Sequence, residues 1–138
     1  MKILYRLLTI LNLFVISFIF NYCSSDEVII NDENKAPTPP QLISPISESS
    51  NLIIPITFLF DSSSDARSYG LQLSTDREFT SIVLNNDNLT STSLEIFQLY
   101  NFTRYYWRVN ASNNFGTSSW SNVWNFSTSE GGIIGRPC

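Results

Sequence analysis

The sequence predicts an all-β sandwich that occupies most of the chain, from about residue 42 to residue 128. The first observation is the period of the apolar residues in this region, which is two and is therefore that of a strand burying one face. The second is that clusters rich in Ser, Asp and Asn separate the alternating runs. The third is that no run carries an apolar stripe of helical period with capping residues. These observations together predict short strands joined by polar turns.

About seven strands are expected, near residues 41–44, 53–60, 67–75, 79–85, 92–97, 103–112 and 117–128. The side chains expected to face inward are, in chain order, Ile54, Ile56, Phe58 and Phe60; Tyr69, Leu71 and Leu73; Leu94 and Ile96; Tyr105, Trp107, Val109 and Ala111; and Trp124 and Phe126. Seven strands in roughly 90 residues match the size of an immunoglobulin-like sandwich with Greek-key connections. The aromatic residues on these faces suffice for a core that needs neither a disulfide nor a metal.

The composition of the 138 residues excludes several functional classes. Hydrophobic residues make up 43% and aromatic residues 14%, which is unlike a disordered chain. There is no His, so His-dependent catalysis, His metal sites and a His pH switch are all excluded. The net charge of −4 argues against nucleic-acid binding, and five Gly are too few for a glycine-rich phosphate loop. We therefore expect no catalytic residue, no metal ligand and no cofactor.

Residues 1–22 predict a secretory signal peptide. Lys2 and Arg6 supply positive charge, and an uncharged apolar run follows from Leu7 to Phe20. An uncleaved signal anchor is the rival interpretation, because about 20 apolar residues can just span a bilayer. A buried core helix is the third interpretation, and the absence of a polar helical face argues against it.

The end of this segment, FNYCSSDE, resembles a bacterial lipoprotein signal. In that family the Cys becomes the lipid-modified first residue of the mature chain, which here would be Cys23. The resemblance implies a lipid anchor in the cell envelope, at the outer membrane or the cell surface. Tyr22 departs from the small residue that the family prefers before the Cys, and cleavage after Ser25 with secretion of the chain stays open.

The mature chain divides into a tether, one domain and a tail. Residues 23–36 are mostly polar and acidic and predict a tether, and the proline-rich PTPPQ that follows favours an extended backbone. Residues 37–130 form the domain, and residues 131–138, which end in Cys138, form a tail. Removal of Lys2 and Arg6 from eight basic residues leaves six against twelve acidic ones. A net charge of −6 would repel anionic lipid, so attachment must come from the anchor.

Residues 37–128 resemble a fibronectin type III domain of the kind found in bacterial surface and secreted proteins. The resemblance rests on the segments PTPPQLISP, IPITFLFD, SYGLQLSTDREFTSIV and LYNFTRYYWRVNASNNFGTSSWSNVWNFST. Leu99, Thr103 and Tyr105 have the family's spacing at the start of the sixth strand. The resemblance implies that Tyr105 forms the tyrosine corner, in which its hydroxyl bonds to the backbone a few residues upstream. It predicts a fold and not a function.

Tyr106, Arg108 and Trp120 form the candidate binding surface, because all three are expected to face outward. Aromatic and Arg side chains are enriched in interface hot spots. The segment SSWSNVW, which occurs in a single copy, also resembles loosely the Trp-Ser repeat of cytokine receptors, in which arginines interleave with Trp. The structural interpretation, which we favour, is that Arg108 stacks on an aromatic ring across neighbouring strands.

Four carboxylates, those of Asp61, Asp65, Asp76 and Glu78, lie in expected turns and could in principle meet around a calcium ion. They lack the ordered spacing of a calcium loop, and Asp also favours turns by bonding to its own backbone. Asp76 with Glu78 could form a hydrolytic pair, but nothing marks a substrate cleft. We therefore expect these residues to act as turn residues.

The sequence thus predicts a non-enzymatic fibronectin type III domain, membrane-tethered or secreted, that binds or spaces at the cell envelope. The expected partners are an unknown protein or glycan at the cell surface and the membrane, through the lipid anchor, with no nucleic acid. Two alternatives stay open, namely an accessory fragment of a longer secreted enzyme and a purely structural secreted module.

Overall fold

Nine short strands make up the described part of the chain, which in this computed structural model is residues 34–131. They are β1 (Leu42–Ser44), β2 (Ser49–Leu52), β3 (Ile56–Phe60), β4 (Ser68–Ser74), β5 (Ile82–Leu89), β6 (Ser93–Ile96), β7 (Arg104–Asn113), β8 (Gly116–Thr117) and β9 (Trp124–Thr128). The described residues contain no helix long and apolar enough to cross a membrane. The predicted signal peptide, Cys23 and the tail from residue 132 onward lie outside the described residues.

The strands form two sheets, as expected for a sandwich. The first sheet has the order β1-β3-β6, and the second has the order β2-β9-β7-β4-β5 with β8 paired to β7. All pairs are antiparallel except β2 with β9, which run parallel. The chain changes sheet five times, at each of the three connections between β1 and β4 and on either side of β6, so the two sheets are interleaved along the chain.

The two sheets bury a common aromatic core. In β7, Tyr105, Trp107 and Val109 face inward and have no exposed surface. Phe58 of the opposite sheet meets Trp107 edge to face, with ring centroids 5.0 Å apart, and meets Phe126 at 5.7 Å. This is a preferred geometry for aromatic pairs. The inward faces predicted for β3, β4 and β7 are the observed ones.

The loop before β7 is tied to the core through Tyr105. The Tyr100 amide donates a hydrogen bond of 2.9 Å to the Tyr105 hydroxyl, and the Tyr105 ring stacks on Phe126 at 5.6 Å. Thr128 adds a second tie, because its hydroxyl donates to the Tyr100 carbonyl at 2.7 Å and accepts from the Thr103 amide at 3.1 Å. The loop of residues 97–103 is therefore held against the end of β9.

The strand boundaries differ from the prediction in four places. The expected fourth strand, 79–85, is observed at Ile82–Leu89, because hydrogen bonds to Asp76 hold the Thr80 and Ser81 amides in the preceding turn. The expected last strand, 117–128, is interrupted, since residues 118–123 separate β8 from β9. The expected second strand, 53–60, starts only at Ile56, because residues 53–55 form a loop. The short strand β2 was not predicted, and its parallel partner β9 lies about 75 residues away, a pairing that local alternation cannot indicate.

The two ends of the sandwich are distinct. The described chain enters at one end, which we call the entry pole, formed by residues 34–40, 61–67 and 113–116. There the Asn113 side-chain amide donates to the Lys35 carbonyl at 2.8 Å, and the Ser63 hydroxyl donates to the Thr38 carbonyl at 2.7 Å. The opposite end, the distal pole, carries residues 53–55, 75–81 and 97–103. The ten residues of β7 separate the two poles by about 30 Å.

Replacement of Trp107 by Ala should cost about 3 to 5 kcal/mol of unfolding free energy, the range for emptying an aromatic core position. Its ring is fully buried and contacts Phe58 and Trp124, and its indole N–H has no hydrogen-bond partner among the described residues. Urea denaturation measures the loss. Phe115→Ala is the control, because that ring is half exposed and its truncation should cost under about 1 kcal/mol. Equal losses in the two variants would contradict the register of β7.

Candidate binding surfaces

Arg108 is the centre of an aromatic stack on the outer face of the second sheet. Its guanidinium carbon lies 3.9 Å from the ring centroid of Phe79 and 4.4 Å from that of Trp120. The guanidinium is therefore close to both rings, within the range of cation–π attraction. We call these three residues the arginine stack. Tyr106 lies outside it, at the β7 position that pairs with Ser74 and Asn125.

The polar atoms of Arg108 are also engaged within the sheet. Gln72 lies directly opposite Arg108 in the pairing of β4 with β7. The Gln72 side-chain oxygen accepts hydrogen bonds from Nε of Arg108 at 3.0 Å and from Nη2 of Arg108 at 2.7 Å. Burial lowers the pKa of Arg108 from its ordinary value, but a guanidinium stays protonated at neutral pH. The contacts of this side chain thus match the structural interpretation favoured by the sequence.

Two serines explain how Trp120 reaches the stack although no strand contains it. The Ser118 hydroxyl accepts a hydrogen bond from the Ala111 amide, and the Ser121 hydroxyl accepts one from the Val109 amide, both at 3.0 Å. The backbone amides of these serines in turn donate to the carbonyls of Ala111 and Val109 at 2.8 Å. Side-chain oxygens thus take the acceptor places that a continuous strand would fill. This is why the last predicted strand is interrupted without leaving the edge of β7 unpaired.

Phe79 is the member of the stack that the sequence did not reveal. It lies in the turn of residues 75–81, and its backbone is left-handed, with φ of 58°. A bulky residue seldom adopts this conformation, yet Phe79 is buried. No local pattern marks it, because its contact with Arg108 depends on how this turn folds back on the sheet.

Asp76 organises the same turn. Its carboxylate accepts hydrogen bonds from the Thr80 amide at 3.0 Å, the Ser81 amide and the Ser74 hydroxyl. The Thr80 amide has the largest effect and lowers the pKa of Asp76. Burial opposes it, but the Ser81 and Ser74 bonds add to the lowering and the pKa falls to about 2. A carboxyl group with such a pKa is a poor proton donor, so the geometry suits a turn cap.

The four carboxylates considered as a calcium site do not come together. Asp61 and Asp65 lie between β3 and β4 at the entry pole, whereas Asp76 and Glu78 lie between β4 and β5 at the distal pole. The seven residues of β4 separate the pairs by about 20 Å. Within residues 34–131, no group of three or more carboxylates or thiols is placed to hold a metal ion. The four therefore do not meet around one ion, and each pair lies in a turn, as expected.

A pocket of about 480 Å³ opens at the distal pole. One wall comes from Thr75, Ser81 and the start of β5, and the other comes from Tyr100, Thr103 and Arg104. Its volume lies within the usual range of small-molecule sites. None of these residues was singled out from the sequence as a binding residue, because the two walls come from chain segments about 20 residues apart. We call this cavity the polar pocket.

Among the described residues, three of the four most exposed large apolar side chains lie at the distal pole, and the fourth is Ile46. Ile53, Phe97 and Phe102 are 69%, 63% and 70% exposed, and all three lie in loops at this end. Ile82 and Val83, at the start of β5, are 46% and 41% exposed beside the polar pocket. Exposed apolar groups cost free energy in water, and their concentration at one end marks interaction surfaces.

Comparison with known proteins gives matches to solved structures only, since no family profile and no curated protein matches the chain. A fibronectin type III domain of human fibronectin type III domain containing protein 3 matches with a TM-score of 0.51 and 20% identity, over 69% of this chain and 88% of that chain. An Fn3-like protein from Clostridium thermocellum matches with a TM-score of 0.49 and 18% identity, over 68% of this chain and 92% of that chain.

A third match is a β-1,2-glucanase from Parabacteroides distasonis, with a TM-score of 0.51 and 18% identity. It covers 68% of this chain but only 13% of the glucanase. The chain has a fibronectin type III fold. The predicted fold class is therefore confirmed, and the hydrogen bond between the Tyr100 amide and the Tyr105 hydroxyl has the geometry of a tyrosine corner.

Arg108→Lys should destabilise the domain by about 1 to 2 kcal/mol, because an ammonium cannot lie flat between two rings or bond Gln72 through two nitrogens. Urea denaturation measures the loss. Arg67→Lys is the matched control, since Arg67 is exposed at the entry pole and its side chain should tolerate the change within about 0.5 kcal/mol. If Arg108→Lys were as mild as this control, the arginine stack would not be structural.

The low pKa of Asp76 predicts an acid-sensitive contribution to stability. The pKa is 3.8 in the unfolded chain and about 2 in the folded one, so folding favours the carboxylate. This stabilisation is complete above the unfolded value and is lost as the pH falls towards 2. In Asp76→Asn, the stability deficit relative to the unchanged protein should therefore stay constant above about pH 5 and shrink between about pH 4 and pH 2.

Urea denaturation at a series of pH values checks this expectation. Asp61→Asn is the control, because the Asp61 carboxylate is exposed and makes no hydrogen bond to another described residue. A deficit in Asp76→Asn that did not change between pH 4 and pH 2 would show that the three hydrogen bonds do not favour the charged form.

Proposed function

We propose that this protein is a non-enzymatic binding module that a lipid on Cys23 tethers at the cell envelope and that binds through its distal pole. The observation that carries the proposal is the unequal distribution of exposed apolar side chains. Ile53, Phe97 and Phe102 project from the pole that lies farthest from where the chain enters the domain. Single exposed apolar side chains are ordinary, as Ile46 and Phe115 show elsewhere on the domain, but several at one pole favour an interaction surface over a bare spacer.

The direction of entry supports this orientation. Lys35 and Thr38 bond to the loops of the entry pole, so a segment anchored upstream approaches the sandwich at that end. The distal pole is the end of the sandwich away from this entry point, about 30 Å along β7.

The chemistry of the mature chain supports a non-enzymatic role. It has no His, and Lys35 is the single Lys after the signal segment. The carboxylate of Asp76 is committed to three hydrogen bonds within its own turn. Arg side chains stay protonated and are poor general bases. No carboxylate is among the described residues that line the polar pocket, and the Asp76 carboxylate beside it is held by the Ser81 and Thr80 amides, so the pocket suits binding better than turnover.

Cys23→Ala should release the protein from the membrane or leave the precursor uncleaved, because Cys23 supplies the thiol to which the lipid would be attached. Detergent-phase partitioning and the intact mass of the protein measure this. Cys138→Ala is the matched control and should partition like the unchanged protein. If Cys23→Ala left both mass and partitioning unchanged, the lipid anchor would be disproved and the chain would be a secreted or signal-anchored module.

A further inference from the structure

The polar pocket contains one positive charge that no described residue neutralises. Arg104 is the only charged residue among the described residues that line the cavity. Its side chain is exposed and forms neither an ion pair nor a hydrogen bond with any other described residue. It differs in this respect from Arg108, whose donors bond Gln72. A guanidinium presents paired N–H groups that match a carboxylate in geometry.

Hydroxyl-bearing residues line the pocket together with Arg104. They include Thr75, Ser81 and Tyr100, whose side-chain hydroxyls have no hydrogen-bond partner among the described residues. The Thr103 hydroxyl is used internally, since it donates to the Asn101 carbonyl at 2.9 Å. Each free hydroxyl can both donate and accept. Such groups suit a ligand that carries hydroxyls of its own.

Ile82 and Val83 give the pocket an apolar wall. A sugar ring combines hydroxyl groups at its rim with C–H groups on its faces, so it can meet hydroxyls and an apolar wall at the same time. A ring that also bears a carboxylate would use Arg104. The combination of one guanidinium, three free hydroxyls and two branched aliphatic side chains is therefore chemically complementary to an acidic sugar.

We infer that the polar pocket binds the carboxylate and ring of an acidic sugar residue, such as a uronate of a cell-surface glycan. The inference rests on the proposed function, because it names the ligand class of the distal pole. Arg104 binds the carboxylate, Tyr100 and the Thr75 and Ser81 hydroxyls bind the ring hydroxyls, and the wall of β5 packs on the ring face.

The backbone that presents Arg104 and Tyr100 is held before any ligand arrives. The Tyr100 amide bonds Tyr105 and the Thr103 amide bonds Thr128. Between them, Phe102 is kept in a left-handed conformation, with φ of 50°, although its ring is exposed. Such strained positions persist where neighbouring contacts fix the chain, and they cluster at ligand sites. A fixed backbone reduces the ordering cost of binding.

Charge near the pocket argues for a single carboxylate and against a polyanion. Arg77 lies in the turn that forms the pocket wall opposite Arg104, but Asp76 and Glu78 flank it and offset its charge. Nucleic acids need several Lys or Arg along a continuous path. One guanidinium within a neutral, hydroxyl-rich cavity fits one carboxylate at a time.

The test is an NMR titration of the full-length protein, purified in detergent, with methyl glucuronoside and with methyl glucoside. These probes share a ring and differ in the carboxylate. We expect the glucuronoside to bind in the millimolar range, to shift the Tyr100 ring and Arg104 side-chain signals, and to bind about tenfold or more tightly than the glucoside. Acetate, which offers the carboxylate without a ring, should bind more weakly than the glucuronoside.

Variants assign the binding to the pocket. Arg104→Gln should weaken glucuronoside binding about tenfold or more, and Tyr100→Phe, which removes only the hydroxyl, about threefold to tenfold. Arg104→Lys keeps the charge and should retain part of the affinity. Arg67→Gln is the matched control, because it removes an exposed Arg at the entry pole and should change binding less than twofold.

Three results would overturn the inference: no binding of the glucuronoside, equal binding of the glucoside or acetate, or equal losses in Arg104→Gln and Arg67→Gln. An unchanged amide spectrum establishes that a variant folds. If Arg104→Gln does not fold, Tyr100→Phe and Arg104→Lys still test the inference. Failure here would leave the membrane attachment standing, because that claim depends on Cys23 alone and is measured by partitioning.

Discussion

The structure depends on the two-residue period of the central strand β7. Its even alternation sends Tyr105, Trp107 and Val109 into the core and Arg108 out to the arginine stack. A shift of one residue would bury a guanidinium and expose an indole, so the hydrophobic core fixes the register. Because β7 pairs with both β4 and β9, this register also decides that Gln72 lies opposite Arg108 and that Thr128 reaches the loop before β7.

Much of the fold was predictable because its signals are local. Alternation in β3, β4 and β7 identified the inward side chains, and the resemblance to fibronectin type III domains around Leu99, Thr103 and Tyr105 implied the tyrosine corner. The interruption before β9 was not predictable, since Ser118 and Ser121 replace strand bonds with side-chain bonds that alternation does not report. Nor was β2, which has no apolar alternation and takes a parallel partner far along the chain.

The candidate sites differ in the same way, since the sequence indicated only those residues that carry a local signal. Arg108 and Trp120 carry a sequence signal, because both are large side chains expected to face outward from predicted strands. The structure brings them together. Phe79 carries none, since its burial follows from a left-handed turn conformation that Asp76 helps to form. The polar pocket was missed entirely. Its Thr, Ser and Tyr residues are common in loops, and only the folding of two separate segments against each other places their hydroxyls beside Arg104.

The arginine stack and the polar pocket share the turn of residues 75–81. On one side of this turn, Phe79 packs on Arg108, and on the other side Thr75 and Ser81 line the pocket. Asp76 joins the two, because it bonds Ser74 at the end of β4 and the Ser81 amide at the pocket wall. Asp76, which is not among the residues that line the pocket, thus helps to position one of its walls. Arg108, which the sequence marked as part of a candidate binding surface, supports the same turn through Phe79.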